Sequence, residues 1–198
     1  MKLGKRIRDV IFLPVNLTNP VHWRDSADFG LLLRSSDASR GCMRIRDAVP
    51  EDASAACEVM RRSITELCAA DHRNDPAVLE RWLSNKTPKT FRAWIRPGNS
   101  VLVAIDTDTD RLLAIGCVTD AGEITLNYVS PDARFRGVSA ALLTELEQRA
   151  IEQGNERCRL ESTETARRFY RDRGYSEEGP ADRKFGTAPG YPMSKRIK

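Results

Sequence analysis

The chain has 198 residues, of which 40% are hydrophobic and 30% charged, and its formal net charge is +4. This length and apolar share predict one soluble domain with a single core, and no apolar run is long enough to span a membrane. Residues 1–42 hold seven basic and four acidic side chains, so the other 156 residues carry a net charge of only +1, and no basic domain face for nucleic acid can be argued from that balance.

Residues 1–42 show no sustained helical or strand period, and Pro14 interrupts their one apolar run. They lack the long apolar stretch and the cleavage site of a secretory signal. An alternating strand begins at Met43. We therefore predict an irregular extension over residues 1–42 and a domain over residues 43–198. The extension either lies upstream of a natural start at Met43 or forms an accessory arm.

Apolar periodicity predicts alternating helices and strands along the domain. The long segment after Pro50 has apolar residues at three-to-four spacing, while the middle of the chain has apolar runs that are separated by polar turns. The predicted helices cover residues 50–70, 76–83, 88–95 and a segment after 163. The predicted strands cover residues 43–48, 101–105, 111–119, 123–129 and 157–162, with a final edge strand over 191–197.

The cysteines are five in number, scattered, and never arranged as C-x-x-C. With only two histidines, His22 and His72, they predict neither a disulfide framework nor a zinc site. The cysteines lie in predicted helices and strands and indicate core positions in a reducing environment, so we expect a cytoplasmic protein without a metal. They are Cys42, Cys57, Cys68, Cys117 and Cys158.

The stretch ITLNYVSPDARFRGVSAALL is typical of a strand, a turn and the beginning of a helix. A helix that begins near Gly137 points unpaired N–H groups and its positive dipole end out of the turn. The small residues Gly137, Ser139 and Ala140 would let a pyrophosphate approach the backbone. Arg134 and Arg136 could pair with further phosphate oxygens. The alternative is an ordinary strand–turn–helix with an arginine-rich surface.

The spacing Arg134-x-x-Gly137-x-Ser139 resembles the acyl-CoA-binding motif of the GNAT superfamily of N-acetyltransferases, Gln/Arg-x-x-Gly-x-Gly/Ala, with Ser139 as a departure. The later segment TETARRFYRDRGY resembles the family's next element, a short helix with Ala-x-x-Phe-Tyr that ends at a glycine before an aromatic residue. Two such segments in the right order are more specific than either one alone. The resemblance covers residues 43–198.

This resemblance implies a mixed α/β fold, with a central, mostly antiparallel sheet flanked by helices. The fourth and fifth strands, here residues 123–129 and 157–162, would splay apart and hold the cosubstrate acetyl-CoA in the wedge between them. The residues expected to bind it are Tyr128, Val129, Arg134, Arg136, Gly137, Val138, Ser139 and Ala140.

Acyl transfer from a thioester to an amine needs a neutral amine, a held carbonyl group and a proton for the leaving thiolate. The resemblance assigns the carbonyl group to a backbone N–H near Tyr128 and Val129. It assigns the proton to Tyr170, because a phenol with a pKa near 10 stays protonated at neutral pH. The alternative role for Tyr170 is a core aromatic.

The general base is open among several residues, and His72 is our candidate because histidine can accept a proton at neutral pH. The alternative is that Asp71 and His72 form a helix cap or a surface pair. Trp82 and Trp94 are interpreted as core or pocket wall. The candidate bases are Glu66, Asp71, His72, Glu123 and Glu161.

We therefore expect an acetyl-CoA-dependent N-acetyltransferase that acts on a primary amine by direct transfer in a ternary complex. The expected acceptor is a small molecule, while a protein N-terminus or lysine stays open. One alternative is a non-catalytic acyl-CoA-binding sensor or interaction module, and another is an interaction protein tethered by its basic arm. No nucleic acid or membrane partner is expected, and an exposed final strand would allow a homodimer.

Overall fold

The computed structural model describes residues 42–181 and 189–198. The predicted extension therefore lies outside the described residues except for Cys42. Its two interpretations and the domain boundary at residue 43 stay predictions. No helix in the described part of the chain is long and apolar enough to cross a membrane.

The first sheet contains four antiparallel strands in the order β1-β2-β3-β4. Helices α1 and α5 both pack against β3, and every residue from Leu113 to Val118 is buried, so helices cover both faces of this sheet. This double burial explains the continuous apolar runs of its middle strands. The four strands are β1 (Met43–Asp47), β2 (Asn99–Asp106), β3 (Leu112–Thr119) and β4 (Ile124–Val129), and the two helices are α1 (Ala53–Arg62) and α5 (Val138–Glu152).

The second sheet contains β5 (Arg157–Ser162), β6 (Ser176–Glu177) and β7 (Tyr191–Arg196), in the order β5-β7-β6. The sequence-based interpretation of the final strand as an edge strand is wrong, because β7 pairs with β5 on one side and with β6 on the other. The expectation of a homodimer through that strand loses its basis.

The two sheets meet at a single parallel bridge, Glu123 with Arg159, supported by the hydrogen bond from Arg159 N to the Gly122 carbonyl at 2.9 Å. Within the described residues β4 and β5 form no other bridge, so they diverge from this point. The splayed strands predicted from the sequence are confirmed.

The predicted helix over residues 50–70 is divided in the structure. A 3-10 turn at Pro50–Asp52 precedes α1, and a π turn at Ser63–Leu67 follows it. The backbone leaves helical geometry at Cys68, where φ is −105°, and α2 (Ala69–His72) follows. The apolar stripe is nevertheless continuous and buried across the π turn, and this explains why the sequence predicts one helix.

The remaining helices agree closely with the prediction. They are α3 (Pro76–Leu83), α4 (Pro88–Trp94) and α6 (Glu164–Arg171). Asp75 caps α3 by accepting from Ala77 N at 2.8 Å, and Thr87 caps α4 by accepting from Thr90 N at 3.2 Å. Four cysteines are buried as predicted, whereas the core position expected for Cys42 is wrong because this residue is exposed.

Candidate active site

The loop between β4 and α5 begins at Ser130, whose hydroxyl accepts a hydrogen bond from Asp132 N at 3.3 Å. The first helical bond of α5 runs from Ala141 N to the Gly137 carbonyl at 3.0 Å. The N–H groups of residues 138–140 therefore precede the first helical hydrogen bond and point out of the helix. This arrangement can bind an anion, as the sequence predicts.

Gly137 caps α5 with a φ of +75°, a conformation that other residues adopt only with strain. A Cβ atom built on Gly137 would meet nothing within 4 Å, so the space beside this residue is open. Val138 and Ser139 are buried and Ala140 is half-buried. Ser139, which departs from the family motif, is thus one of the two buried residues at this helix start.

Two ion pairs anchor this loop to the rest of the domain. Asp132 accepts from Arg62 of α1 at 2.8 Å, and Arg136 donates to Asp106 of β2 at 3.1 Å. The hydrogen bonds from these arginines lower the pKa of Asp132 and of Asp106. Of the two arginines predicted to bind phosphate, Arg136 is therefore already paired.

Arg134, the other predicted phosphate ligand, has its guanidinium 4.7 Å from the ring centre of Phe135. Its Nε atom is buried and has no hydrogen-bond partner in the described parts of the chain. Phe135 has a φ of +61° although it is not a glycine, and its exposed fraction is 66%. The loop thus combines a strained aromatic residue with an incompletely bonded arginine.

The end of β4 determines which backbone amide faces the wedge. Val129 lies opposite Ala114 in the register, and Ser130 N donates to the Leu113 carbonyl at 2.7 Å. Because amides along an antiparallel strand alternate in direction, the Tyr128 amide points toward β3 with that of Ser130, and the Val129 amide points away from it. Of the two predicted carbonyl-binding residues, Val129 therefore has the suitable N–H.

Tyr170 lies in α6 and is fully buried. Its hydroxyl oxygen accepts a hydrogen bond from Asn127 Nδ2 at 3.3 Å, and its ring makes edge contacts with Phe169 and Tyr175 at 5.1 and 5.5 Å between centroids. Burial raises the pKa of the Tyr170 hydroxyl above its ordinary value, while the hydrogen bond from Asn127 acts in the opposite direction. The phenol therefore stays protonated at neutral pH.

Asn127 also belongs to this candidate site, although it is not among the residues predicted from the sequence. The available signal was a single amide side chain within the apolar strand ITLNYV. Its partner Tyr170 is 43 residues away in the chain, and only the tertiary structure brings the two together.

His72, the predicted base, is 1% exposed. Its Nδ1 atom accepts from Asn74 N at 3.0 Å, so the ring proton is on Nε2, which is buried and has no partner among the described residues. In this tautomer Nε2 cannot accept a proton from an amine. The observed conformation therefore does not suit His72 as a base.

Asp71 accepts hydrogen bonds from Glu164 N at 3.0 Å and from the Thr165 hydroxyl, and therefore caps α6. The helix-cap interpretation thus fits Asp71, although the helix that it caps is α6, which is distant in the chain. Burial raises the pKa of the Asp71 carboxyl group. Glu66, another candidate base, is exposed and paired with Arg62 at 2.8 Å.

The tryptophans considered as core or pocket wall, Trp82 and Trp94, are both buried. Within residues 42–181 and 189–198, no group of three or more histidine, cysteine or acidic side chains is arranged to hold a metal ion.

Comparison with known proteins gives matches at the level of family and fold. A family model described as an acetyltransferase (GNAT) domain matches residues 68–197, which is 130 of the 198 residues. A search of curated proteins finds no match.

Among solved structures, a GCN5-related N-acetyltransferase from Rhodopseudomonas palustris is 24% identical over 84% of this chain and 99% of its own, with a TM-score of 0.68. The PaiA N-acetyltransferase from Thermoplasma acidophilum, in complex with coenzyme A, is 20% identical over 78% of this chain and 99% of its own, with a TM-score of 0.66. The ribosomal-protein-S18-alanine N-acetyltransferase from Escherichia coli is 18% identical over 79% of this chain and 95% of its own, with a TM-score of 0.58. At these identities the matches establish the fold.

Proposed function

This chain belongs to the GNAT acetyltransferase family, and on that premise we propose that it transfers an acetyl group from acetyl-CoA directly to a primary amine in a ternary complex. The proposed acceptor is a small-molecule amine. A protein N-terminus or lysine is the alternative acceptor, and the family's range of structures includes a ribosomal-protein alanine acetyltransferase.

The open space beside Gly137 is the observation that carries this proposal. We assign the pyrophosphate of acetyl-CoA to the N–H groups of residues 138–140, where the helix dipole also favours negative charge. Arg134, whose Nε atom lacks a partner among the described residues, would add a charged donor. The complex of the similar PaiA protein with coenzyme A supports this assignment.

In the proposed reaction, the amine nitrogen bonds to the thioester carbonyl carbon and the carbon–sulfur bond breaks. We assign the carbonyl oxygen to the Val129 N–H, because a fixed donor in a water-poor site stabilises developing negative charge. We assign the proton that the leaving sulfur receives to the Tyr170 hydroxyl. His72 stays the proposed base, and it would need its other tautomer and the loss of the Asn74 contact.

Calorimetric titration with acetyl-CoA and with free CoA tests the cosubstrate assignment. Gly137→Asp places a negative charge in the open space, and we expect it to abolish binding. Gly154→Asp is the matched control, because Gly154 has a φ of +87° and is equally open but follows the other end of α5. Equal binding by the wild type and both variants would refute the assignment.

A second candidate function is an acyl-CoA-binding module without transferase activity. The Tyr170 hydroxyl is completely buried, so a thioester bound in the wedge can contact this proposed acid only if the side chains that cover it move. This observation favours the candidate without transferase activity. A wild type that binds acetyl-CoA but acetylates no member of a broad amine library would support the module. Product formation with any amine would support the enzyme.

A further inference from the structure

Asn127 is an asparagine in the interior of β4, where its side chain is fully buried. Strands disfavour asparagine, and burying an amide costs free energy unless its polar atoms are hydrogen-bonded. Here Nδ2 donates to Tyr170, but Oδ1 is buried without a partner among the described residues. A leucine of similar size would fill this position without leaving an unbonded oxygen, so stability alone does not explain the amide.

The direction of the hydrogen bond matters for the chemistry of Tyr170. Asn127 donates to the phenol oxygen, so this contact uses an oxygen lone pair and leaves the phenol proton available to another acceptor. Edge contacts with Phe169 and Tyr175 hold the ring, and the amide then restricts the rotation of the O–H bond. The contact joins β4 to α6, which follows β5, on the diverging side of the Glu123–Arg159 bridge.

We propose that Asn127 is a positioning residue that aims the Tyr170 hydroxyl as a proton donor and stabilises the phenolate that forms when the proton leaves. The inference rests on the proposed function. As the carbon–sulfur bond breaks, the phenol proton moves to the leaving sulfur and the acylated nitrogen gives its proton to the proposed base. The base then returns that proton to water, and the phenolate recovers one from water. A hydrogen bond to an ionised oxygen is stronger than one to a neutral oxygen, so the amide assists the transfer.

The test is a double-mutant cycle of Asn127→Leu and Tyr170→Phe, with an amine that the wild type acetylates. Alone, Asn127→Leu should lower kcat about 10- to 100-fold, which is less than the roughly 100- to 10,000-fold that a positioned acid contributes, because Tyr170 itself is still present. Its Kd for acetyl-CoA should change by less than about threefold, and its thermal midpoint shows that it is folded. In the Tyr170→Phe background the same substitution should have no further effect on kcat.

Two companion variants test the same role if Asn127→Leu does not fold. Asn127→Thr keeps a hydroxyl donor and should retain more activity than Asn127→Leu. Asn127→Asp donates to the phenol oxygen only while its carboxyl group is protonated, so its kcat should fall as pH rises through the pKa of that group. The wild type should show no such fall below pH of about 9, because its amide does not titrate.

Equal effects of Asn127→Leu in both Tyr170 backgrounds would overturn the inference, as would an Asn127→Asp pH profile that follows the wild type. Failure of the proposed function has a different signature, since the wild type would then form no acetylated product. A wild type that turns over while Asn127→Leu keeps full kcat would reject the positioning role alone.

Discussion

At the scale of single residues, the burial of Tyr170 affects whether its hydroxyl can act as a proton donor. Removal from water penalises the ionised phenolate, so the folded protein raises the pKa of this hydroxyl. A proton donor must be protonated before it acts. The buried phenol meets this condition over the whole neutral range, and its hydrogen bond with Asn127 offsets only part of the burial effect.

We expect Tyr170→Phe to lower kcat by about 100-fold or more, because it removes the proposed acid while keeping the ring and its edge contacts. The Kd for acetyl-CoA should stay near the wild-type value. Steady-state kinetics and calorimetry measure the two quantities on the same preparation. Full kcat in the variant would show that the sulfur receives its proton from another group.

The pH dependence of the wild type is a second test of Tyr170. An acid stops working as pH rises through its pKa, and burial moves the pKa of Tyr170 upward from about 10. We therefore expect no descending limb of kcat that belongs to this tyrosine below pH of about 10. A descending limb that Tyr170→Phe removes within the neutral range would contradict the raised pKa.

The protonation of the buried Asp71 carboxyl group affects the stability of the fold. Its pKa is raised in the folded protein because burial penalises the charged form. The folded state then binds this proton more tightly than the unfolded chain does, so its contribution to stability is present below the unfolded pKa of about 4 and is lost as pH rises from there through the raised folded pKa.

We expect Asp71→Asn to remove this component while its amide oxygen still accepts from Glu164 N. The difference in unfolding free energy, wild type minus variant, should decrease as pH is raised above about 4. Urea denaturation over that range measures it. A difference that increases with pH would mean that the hydrogen bonds from Glu164 and Thr165 outweigh burial.

At the scale of elements, the loop before α5 contains strain that core packing does not explain. Phe135 has a left-handed φ, which costs about 1–2 kcal/mol for a residue with a side chain, yet its ring is largely exposed. The loop ends are held by Asp132 and Arg136. We therefore attribute this conformational free energy to the backbone path that the loop follows in order to reach the start of α5.

We expect Phe135→Gly to raise the unfolding free energy by roughly 0.5–1 kcal/mol, because relief of the left-handed strain exceeds the entropy cost of glycine. Urea denaturation measures the change. Asp110→Gly is the matched control, since Asp110 has a φ of +55° in an exposed turn and aspartate tolerates this conformation better. A smaller gain in Phe135→Gly than in Asp110→Gly would contradict the strain argument.

Local patterns predicted the elements well, and their failures have physical causes. The helices α3 and α4 have capping residues and prolines at their starts, so short-range rules locate them. The place of β7 between β5 and β6 depends on pairing between distant segments, which no local pattern encodes.

The candidate site was predictable to the same extent. The turn proposed to bind phosphate is a continuous motif whose spacing is visible in the sequence, whereas the role proposed for Asn127 depends on a contact across the wedge. The tautomer of His72 likewise depends on the backbone of Asn74, which the fold turns back onto the ring.

At the scale of the whole molecule, the domain consists of two sheets that meet at one bridge and diverge toward the candidate site. A ligand that binds between them contacts both sheets. It therefore stabilises the folded state by mass action, since the unfolded chain lacks the site.

We expect acetyl-CoA at about 100 times its Kd to raise the unfolding free energy by about 2.7 kcal/mol. Hydrogen exchange should slow at the Val129 amide, which faces the wedge. Gly137→Asp should show neither effect, and Gly154→Asp should show both. An unchanged thermal midpoint in the wild type with saturating ligand would contradict binding to the folded state.

The central place of β7 has a consequence for the order in which the molecule is assembled during synthesis. A ribosome produces β5 and β6 before β7, yet these two strands have no contact in the sheet except through it. The first sheet has all four strands once Val129 has left the exit tunnel, whereas the second sheet must wait for Arg196. A nascent chain therefore has one complete wall of the wedge long before the other.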